Sequence, residues 1–125
     1  MQNQIHPTAI IEPGCVLGEG VTVGEFSIVR SGVSIGAHST VGAFCEIGHG
    51  SRSNSAELSV GKNSTIRSHS VIYLGSDLGP GLATGHGVVI REGTIAGEGL
   101  SVGTHSDIQG AVSYTHLRAH ETVLD

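Results

Sequence analysis

An aliphatic residue stands at every sixth position of the first half of the chain: Ile5, Ile11, Leu17, Val23, Val29, Ile35, Val41 and Ile47. No other feature constrains the fold as tightly. A helix repeats apolar residues every three or four positions, and a half-buried strand alternates them. A period of six belongs to neither element. It marks a supersecondary repeat in which each unit buries one side chain and stacked units share one core. After a polar stretch the ladder resumes in a new phase at Val60, Ile66, Ile72, Leu78, Thr84, Ile90, Ala96, Val102 and Ile108.

Each unit reads aliphatic, Gly or polar, two variable positions, a small residue, one variable position. Gly18, Gly24, Gly36, Gly42 and Gly48 follow their aliphatics directly, where a side chain would crowd a corner. Cys15 and Cys45 fall in the small-residue place shared by Ala9, Val21, Ser27, Val33 and Ser39, which makes them packing thiols rather than a disulfide or a nucleophile. Three units per turn give an all-β triangular coil that returns over itself every eighteenth residue, at the ordinary strand spacing of about 4.8 Å. The stretch 48–59, rich in Gly, Ser and Asn, reads as an extruded loop. If it replaces one unit and adds one residue, three inward columns follow. Ile5, Val23, Val41, Val60, Leu78 and Ala96 form the first. Ile11, Val29, Ile47, Ile66, Thr84 and Val102 form the second. Leu17, Ile35, Ile72, Ile90 and Ile108 form the third.

The 125 residues suffice for one domain. A net charge of −5 argues against a nucleic-acid binder. Neither a membrane span nor a signal peptide is visible, so the expected location is cytoplasmic. Twenty glycines and no Trp indicate a narrow interior filled by Ile, Val, Leu and small residues. We therefore expect one β-helix domain over 1–111 and a non-native tail over 112–125. The tail has neither glycine nor the six-residue period. Its stretch 112–122 resembles the conceptual translation of a transposase adapter used in sequencing libraries, which excludes His116 and His120 from functional reasoning.

The units IHPTAI, IEPGCV, LGEGVT, VGEFSI, VRSGVS, IGAHST and VGAFCE resemble those of hexapeptide-repeat acyltransferases, which fold as left-handed parallel β-helices. The resemblance runs from Ile5 to Ala111. It implies a homotrimer with active sites between subunits, and acetyl-CoA, another acyl-CoA or acyl carrier protein as donor. The opening IHPTAIIEPGCVLGEGVTVGEFSIV is similar to acyltransferases of nucleotide sugars, and TGHGVVIRE, Thr84 to Glu92, to acetyltransferases of activated sugars. The implied reaction is acylation of an amino or hydroxyl group on a nucleotide-activated sugar. Family members usually carry further coils and a C-terminal segment that help hold coenzyme A. This chain departs from that pattern after Ala111.

Counting in eighteens with the columns above sends four histidines to one corner. His49, Ser68, His86 and Thr104 take the second place after a ladder residue, and Gly50, His69, Gly87 and His105 the third. An unperturbed imidazole titrates near about 6.5, suited to taking a proton from a hydroxyl or an amine. Related acyltransferases use such a histidine as base, and His86 is the expected one here. Gly87 is expected to leave a notch beside it, and the N–H groups of Gly85 or Gly87 to stabilise the oxyanion. His49, His69, His105, Arg67, Arg91 and Glu92 are the expected substrate-binding residues, with Arg67 suited to a phosphate. His6 and His38 are read as surface residues. Phe26 and Phe44 form one exterior column, a candidate trimer contact. No metal is expected. The alternative is a metalloprotein like the γ-class carbonic anhydrases, whose interfacial histidines bind zinc. The phrase IGHG, Ile47 to Gly50, supports that alternative, and Asn54, where a second histidine is usual, weakens it.

Overall fold

The computed structural model describes residues 2–50 and 57–110, together with the backbone of Ala111–Val112 and His116–Leu117. Short strands wind into three parallel sheets, each strand pairing with the one a full coil away. The first sheet runs through Gln4–Ile5, Thr22–Val23, Thr40–Val41, Thr65–Ile66, Ala83–Thr84, Ser101–Val102 and His116–Leu117. The second holds Ile10–Ile11, Ile28–Val29, Glu46–His49, Val71–Tyr73, Val89–Ile90 and Asp107–Ile108. The third holds Val16–Leu17, Val33–Ile35, Leu58–Val60, Asp77–Leu78, Ile95–Ala96 and Ala111–Val112. The result is the expected left-handed parallel β-helix.

The ladder points inward as its spacing demands. From Val23 to Ile108 every described ladder residue is buried, and Ile5, Ile11 and Leu17 of the first coil pack half-buried against the same core. Thr84, the one polar rung, is buried with its Oγ1 accepting a hydrogen bond from the Arg67 N–H at 3.1 Å. The small-residue place is a second interior column, and its hydroxyls serve the backbone. Ser27 Oγ accepts from Cys45 N at 3.0 Å and donates to the Gly42 carbonyl at 2.6 Å. Ser39 and Ser70 accept likewise from Ser64 N and Val88 N. Among the described residues no buried side-chain nitrogen or oxygen lacks a partner. Cys45 is buried and free, and its thiol is pushed up by burial; Cys15 is free and half-buried.

Register across the extruded loop differs from the expectation. Ile35 pairs with Val60, Val41 with Ile66 and Ile47 with Ile72, so each partner lies twenty-five positions on rather than the nineteen expected across the loop. The loop therefore inserts seven residues and replaces no unit. Val60, Leu78 and Ala96 belong to the third column, Ile66, Thr84 and Val102 to the first, and Ile72, Ile90 and Ile108 to the second. Backbone contact fixes this register. A Cβ added to Gly36 would meet Lys62 N at 2.3 Å, and one added to Gly61 would meet Pro80 N at 2.3 Å, so glycine here permits close stacking of one corner on the next. Strands flank the loop more tightly than expected, ending at His49 and restarting at Leu58. Asn54 lies outside the described residues.

At the far end the last two described strands return early. Ala96 pairs with Val112 after sixteen residues and Val102 with Leu117 after fifteen, in keeping with the loss of the six-residue period there. The rest of 112–125, on which the adapter resemblance rests, lies outside the described residues. No helix among the described residues is long and apolar enough to cross a membrane.

Candidate active site

The corner between the first and second sheets carries the histidines. His69, His86 and His105 follow Ile66, Thr84 and Val102 of the first sheet on three successive coils, and all are exposed. Ser68, one coil below, places its Oγ 2.8 Å from His86 Nδ1. The His86 N–H donates to Thr104 Oγ1, one coil above, at 3.2 Å. The imidazole thus has its Nδ1 engaged by a hydroxyl. Arg67 stands at the same corner, exposed.

Third-place residues of this corner form a column with left-handed backbone: Phe26 (φ 57°), Phe44 (φ 58°), His69 (φ 64°), Gly87 (φ 64°) and His105 (φ 64°). Phe26 stacks on Phe44 with ring centroids 5.3 Å apart, and Phe44 on His69 at 5.2 Å. The aromatic column expected from the sequence therefore runs on into the histidine corner. The notch expected at Gly87 is occupied: a Cβ there would lie 2.6 Å from Cδ2 of His105, whose ring leans into the space. The expected oxyanion donors are also engaged. Gly85 N donates to the Val102 carbonyl at 2.8 Å and Gly87 N to the Ser68 carbonyl at 2.9 Å. Hydroxyls, Thr104 foremost, are the donors this corner still offers.

His49 does not join the other three histidines. With seven residues inserted after it, it stays on the second sheet, opposite Tyr73, and faces the next corner. There its ring meets Tyr73 edge-on at 4.6 Å and its Nδ1 lies 3.0 Å from Glu46 Oε2. Arg91 and Glu92 share that corner. Arg91 makes a two-pronged pair with Asp107 (2.9 and 3.0 Å), which holds its guanidinium pKa above the usual value, and lies 5.7 Å from the Tyr73 ring centroid. Glu92 Oε1 accepts from Gln109 Nε2 at 3.3 Å. Further down, Arg30 bridges Glu12 and Glu46. The Glu12 carboxyl is held below the usual range by the Ser31 N–H and by Arg30. This second cluster is a network of half-exposed ion pairs, each worth little to stability. Among the described residues no three His, Cys, Asp or Glu of one protomer converge as metal ligands. His38 is exposed at the corner between the third and first sheets, whereas His6 is exposed at the foot of the histidine corner, its Nδ1 2.8 Å from Thr8 Oγ1.

Ser68 and Thr104 are the site residues missed by sequence reasoning. Their places beside His86 were countable, but a hydroxyl carries no signal among so many serines and threonines until its partner is seen.

Stacked hexads, three parallel sheets and left-handed glycine corners define a β-helix of the hexapeptide-repeat class. A family model described as bacterial transferase hexapeptide (six repeats) matches residues 14–49. Those residues carry the repeat that the model describes, and the chain spans only a small part of the curated relatives it matches. It is 62% identical over 32 residues to the acyl-[acyl-carrier-protein]–UDP-N-acetylglucosamine O-acyltransferase of Brucella ovis, a match covering 26% of this chain and 12% of that relative. Among solved structures, a histidine-to-asparagine variant of perosamine N-acetyltransferase from Caulobacter crescentus, in complex with CoA and GDP-perosamine, superposes with a TM-score of 0.65 at 24% identity. It covers 96% of this chain and 51% of that one. The UDP-N-acetylglucosamine O-acyltransferase of Moraxella catarrhalis superposes with a TM-score of 0.55 at 16% identity, covering 96% and 66%. Identities this low establish the shared fold.

Proposed function

We propose that the chain is an acyltransferase that moves an acyl group, acetyl in the first instance, from a thioester donor to an amino or hydroxyl group of a nucleotide-linked sugar. One observation carries the reading: His86 is anchored through Nδ1 to Ser68 at a corner shared with two further histidines. Ser68 accepting from Nδ1–H fixes the tautomer whose Nε2 is a free base. Nε2 takes the acceptor's proton as its nitrogen or oxygen attacks the thioester carbonyl. The tetrahedral oxyanion accepts a hydrogen bond from a hydroxyl such as that of Thr104. It then collapses, expelling the thiolate, which takes up a proton. Acetyl-CoA, another acyl-CoA or acyl carrier protein supplies the thioester, and Arg67 meets a phosphate of the acceptor. The relatives' acyl-carrier-protein donor and UDP-N-acetylglucosamine acceptor, and the CoA and GDP-perosamine bound to the structural neighbour, support this class of donor and acceptor.

The active form is proposed to be a homotrimer. Phe26 and Phe44 are more than half exposed, and beside them the outward row of the second sheet runs Ile10, Ile28, Glu46, Val71, Val89 and Asp107, apolar at four places and acidic at two. That face, apolar on its lower coils around Ile10, Ile28, Phe26 and Phe44, is the proposed contact surface for a second copy. No membrane or nucleic-acid partner is proposed, and the location proposed is cytoplasmic.

The test is thiol release from acetyl-CoA with UDP- and GDP-linked amino sugars, in wild type and His86→Asn. General-base removal is expected to lower turnover about 10²- to 10⁴-fold. Turnover that survives the substitution, or thiol release indifferent to the sugar, refutes the assignment. Loss of activity to a chelator and its return with zinc would favour the carbonic-anhydrase-like alternative.

A further inference from the structure

We propose that the rung of the aromatic column vacated by Gly87 seats the pyranose ring of the acceptor, with the ring face of His69 as its floor and His86 at its side. The inference rests on the acyl-acceptor reading above for the identity of that ring.

The column itself points to a ligand. At the corner between the second and third sheets, the left-handed positions are Gly14, Gly32, Gly75 and Gly93, and at the corner between the third and first they are Gly20, His38, Asn63, Gly81 and Gly99, mostly glycines for which that conformation is easy. At the histidine corner the same position holds Phe26, Phe44, His69 and His105, for which it is strained. Strain of this kind persists where it serves a site. What it achieves here is a stack of flat rings along the coil axis, at 5.3 and 5.2 Å.

Among the described residues the stack stops at His69, because the next rung is Gly87. Two strand spacings, about 10 Å, separate the backbones that carry His69 and His105. That interval accommodates one further ring. In this structure His105 leans into it, and only a residue without a Cβ allows that approach. His105 is exposed and its ring can turn outward, leaving the upper face of His69 for a ligand.

Chemistry selects the ring. An aromatic face is negative and its edge positive. The polarised C–H face of a pyranose therefore lies against it, leaving the sugar's equatorial hydroxyl or amino groups at the rim. His86 is the residue next to Gly87, so a group on a ring seated there is within reach of its Nε2. A nucleobase in the slot would instead hold the reacting atom a ribose and a diphosphate away from His86. Arg67, two residues before His69, stands where a phosphate on the anomeric carbon would emerge.

Binding can be followed without turnover, using N-acetylglucosamine 1-phosphate, UDP-N-acetylglucosamine and UDP as probes in proton NMR and calorimetry. Sugar ring protons are expected to move upfield on binding wild type, through the ring current of His69. His69→Asn keeps a residue tolerant of the left-handed backbone but removes the ring. It should weaken the sugar phosphate roughly three- to tenfold, the range that an aromatic contact supports. His69→Phe should restore binding and the upfield shift. Gly87→Ala should block the slot.

Equal binding by wild type and His69→Asn overturns the proposal. So do upfield shifts on the uracil protons of UDP with none on the sugar. Ring-current shifts without acyl transfer would leave the slot standing and remove the transferase reading. Transfer unaffected by His69→Asn would do the reverse.

Discussion

Ser68 shows how much one hydroxyl decides at this corner. His86 has two ring nitrogens, and only a fixed tautomer leaves Nε2 free to act as a base. The contact at 2.8 Å between Ser68 Oγ and Nδ1 engages one of them, and it comes from the coil below. A hydrogen bond of this type has a net worth of about 0.5–1.5 kcal/mol, so Ser68→Ala should lower kcat about two- to tenfold. Ser68→Thr keeps the hydroxyl and should recover most of the loss. In a His86→Asn background, Ser68→Ala should cost nothing further, because its effect runs through the imidazole. Steady-state rates of the four proteins check this. An undiminished additional loss in the double variant would mean that Ser68 acts on substrate directly. The meeting of His69, His86 and His105 was legible in the sequence, since all three lie after the loop and hexads alone relate them. His49 was not, because its relation to the others depends on how the loop is counted.

Corners, more than strands, set how the coils register. The strands are mostly two residues long and the aliphatic ladder is alike on all three faces, so rotating the second half by one face leaves the burial pattern unchanged. The thirteen positions from Ile47 to Val60 divide equally well as twelve and one or as six and seven. That is why the ladder was legible and the register across the loop was not. Corner details choose between the two. Gly36 lies under Lys62, Ser39 Oγ receives the Ser64 N–H at 3.1 Å, and Phe44 stacks on His69. These are pairings between non-aliphatic places, visible in the sequence only once the correct offset is assumed. Gly36→Ala puts a Cβ 2.3 Å from a backbone nitrogen that has no flexible end to yield. Overpacking of this kind costs about 1–3 kcal/mol, so thermal unfolding should begin several degrees lower. A Gly36→Ala protein with wild-type Tm would show that the coils are not stacked this closely.

For the whole molecule, the seven-residue insertion determines which surfaces belong together. It keeps the stacked Phe26 and Phe44 on the same corner as His69 and His86, and so joins the apolar patch proposed as a trimer contact to the proposed site. The alternative offset would place Val60 over Val41, and therefore Ser59 beside Thr40. In the present fold Thr40 lies beside Thr65, and Ser59 beside Ser34 and Asp77. Neighbouring Cα atoms of parallel strands fall within the 4.4–6.8 Å that a disulfide spans, whereas residues on different faces of the prism do not. In a background with Cys15 and Cys45 replaced by Ala, the pair Thr40→Cys and Thr65→Cys should oxidise to an intramolecular disulfide, read by mass spectrometry after denaturation. Thr40→Cys with Ser59→Cys should remain as thiols. Removing residues 50–56 joins His49 to Glu57 and leaves Val60 six places after Ile47, the spacing of every other unit. Closing entropy grows only slowly with loop length, about 0.6 kcal/mol per doubling, so that deletion should unfold at or slightly above the wild-type temperature and form the same Thr40–Thr65 link. Removing one residue more would turn every later inward side chain toward solvent, and cooperative unfolding should be lost. A disulfide between positions 40 and 59 would return the second half of the helix to the other offset and separate the aromatic column from the histidines.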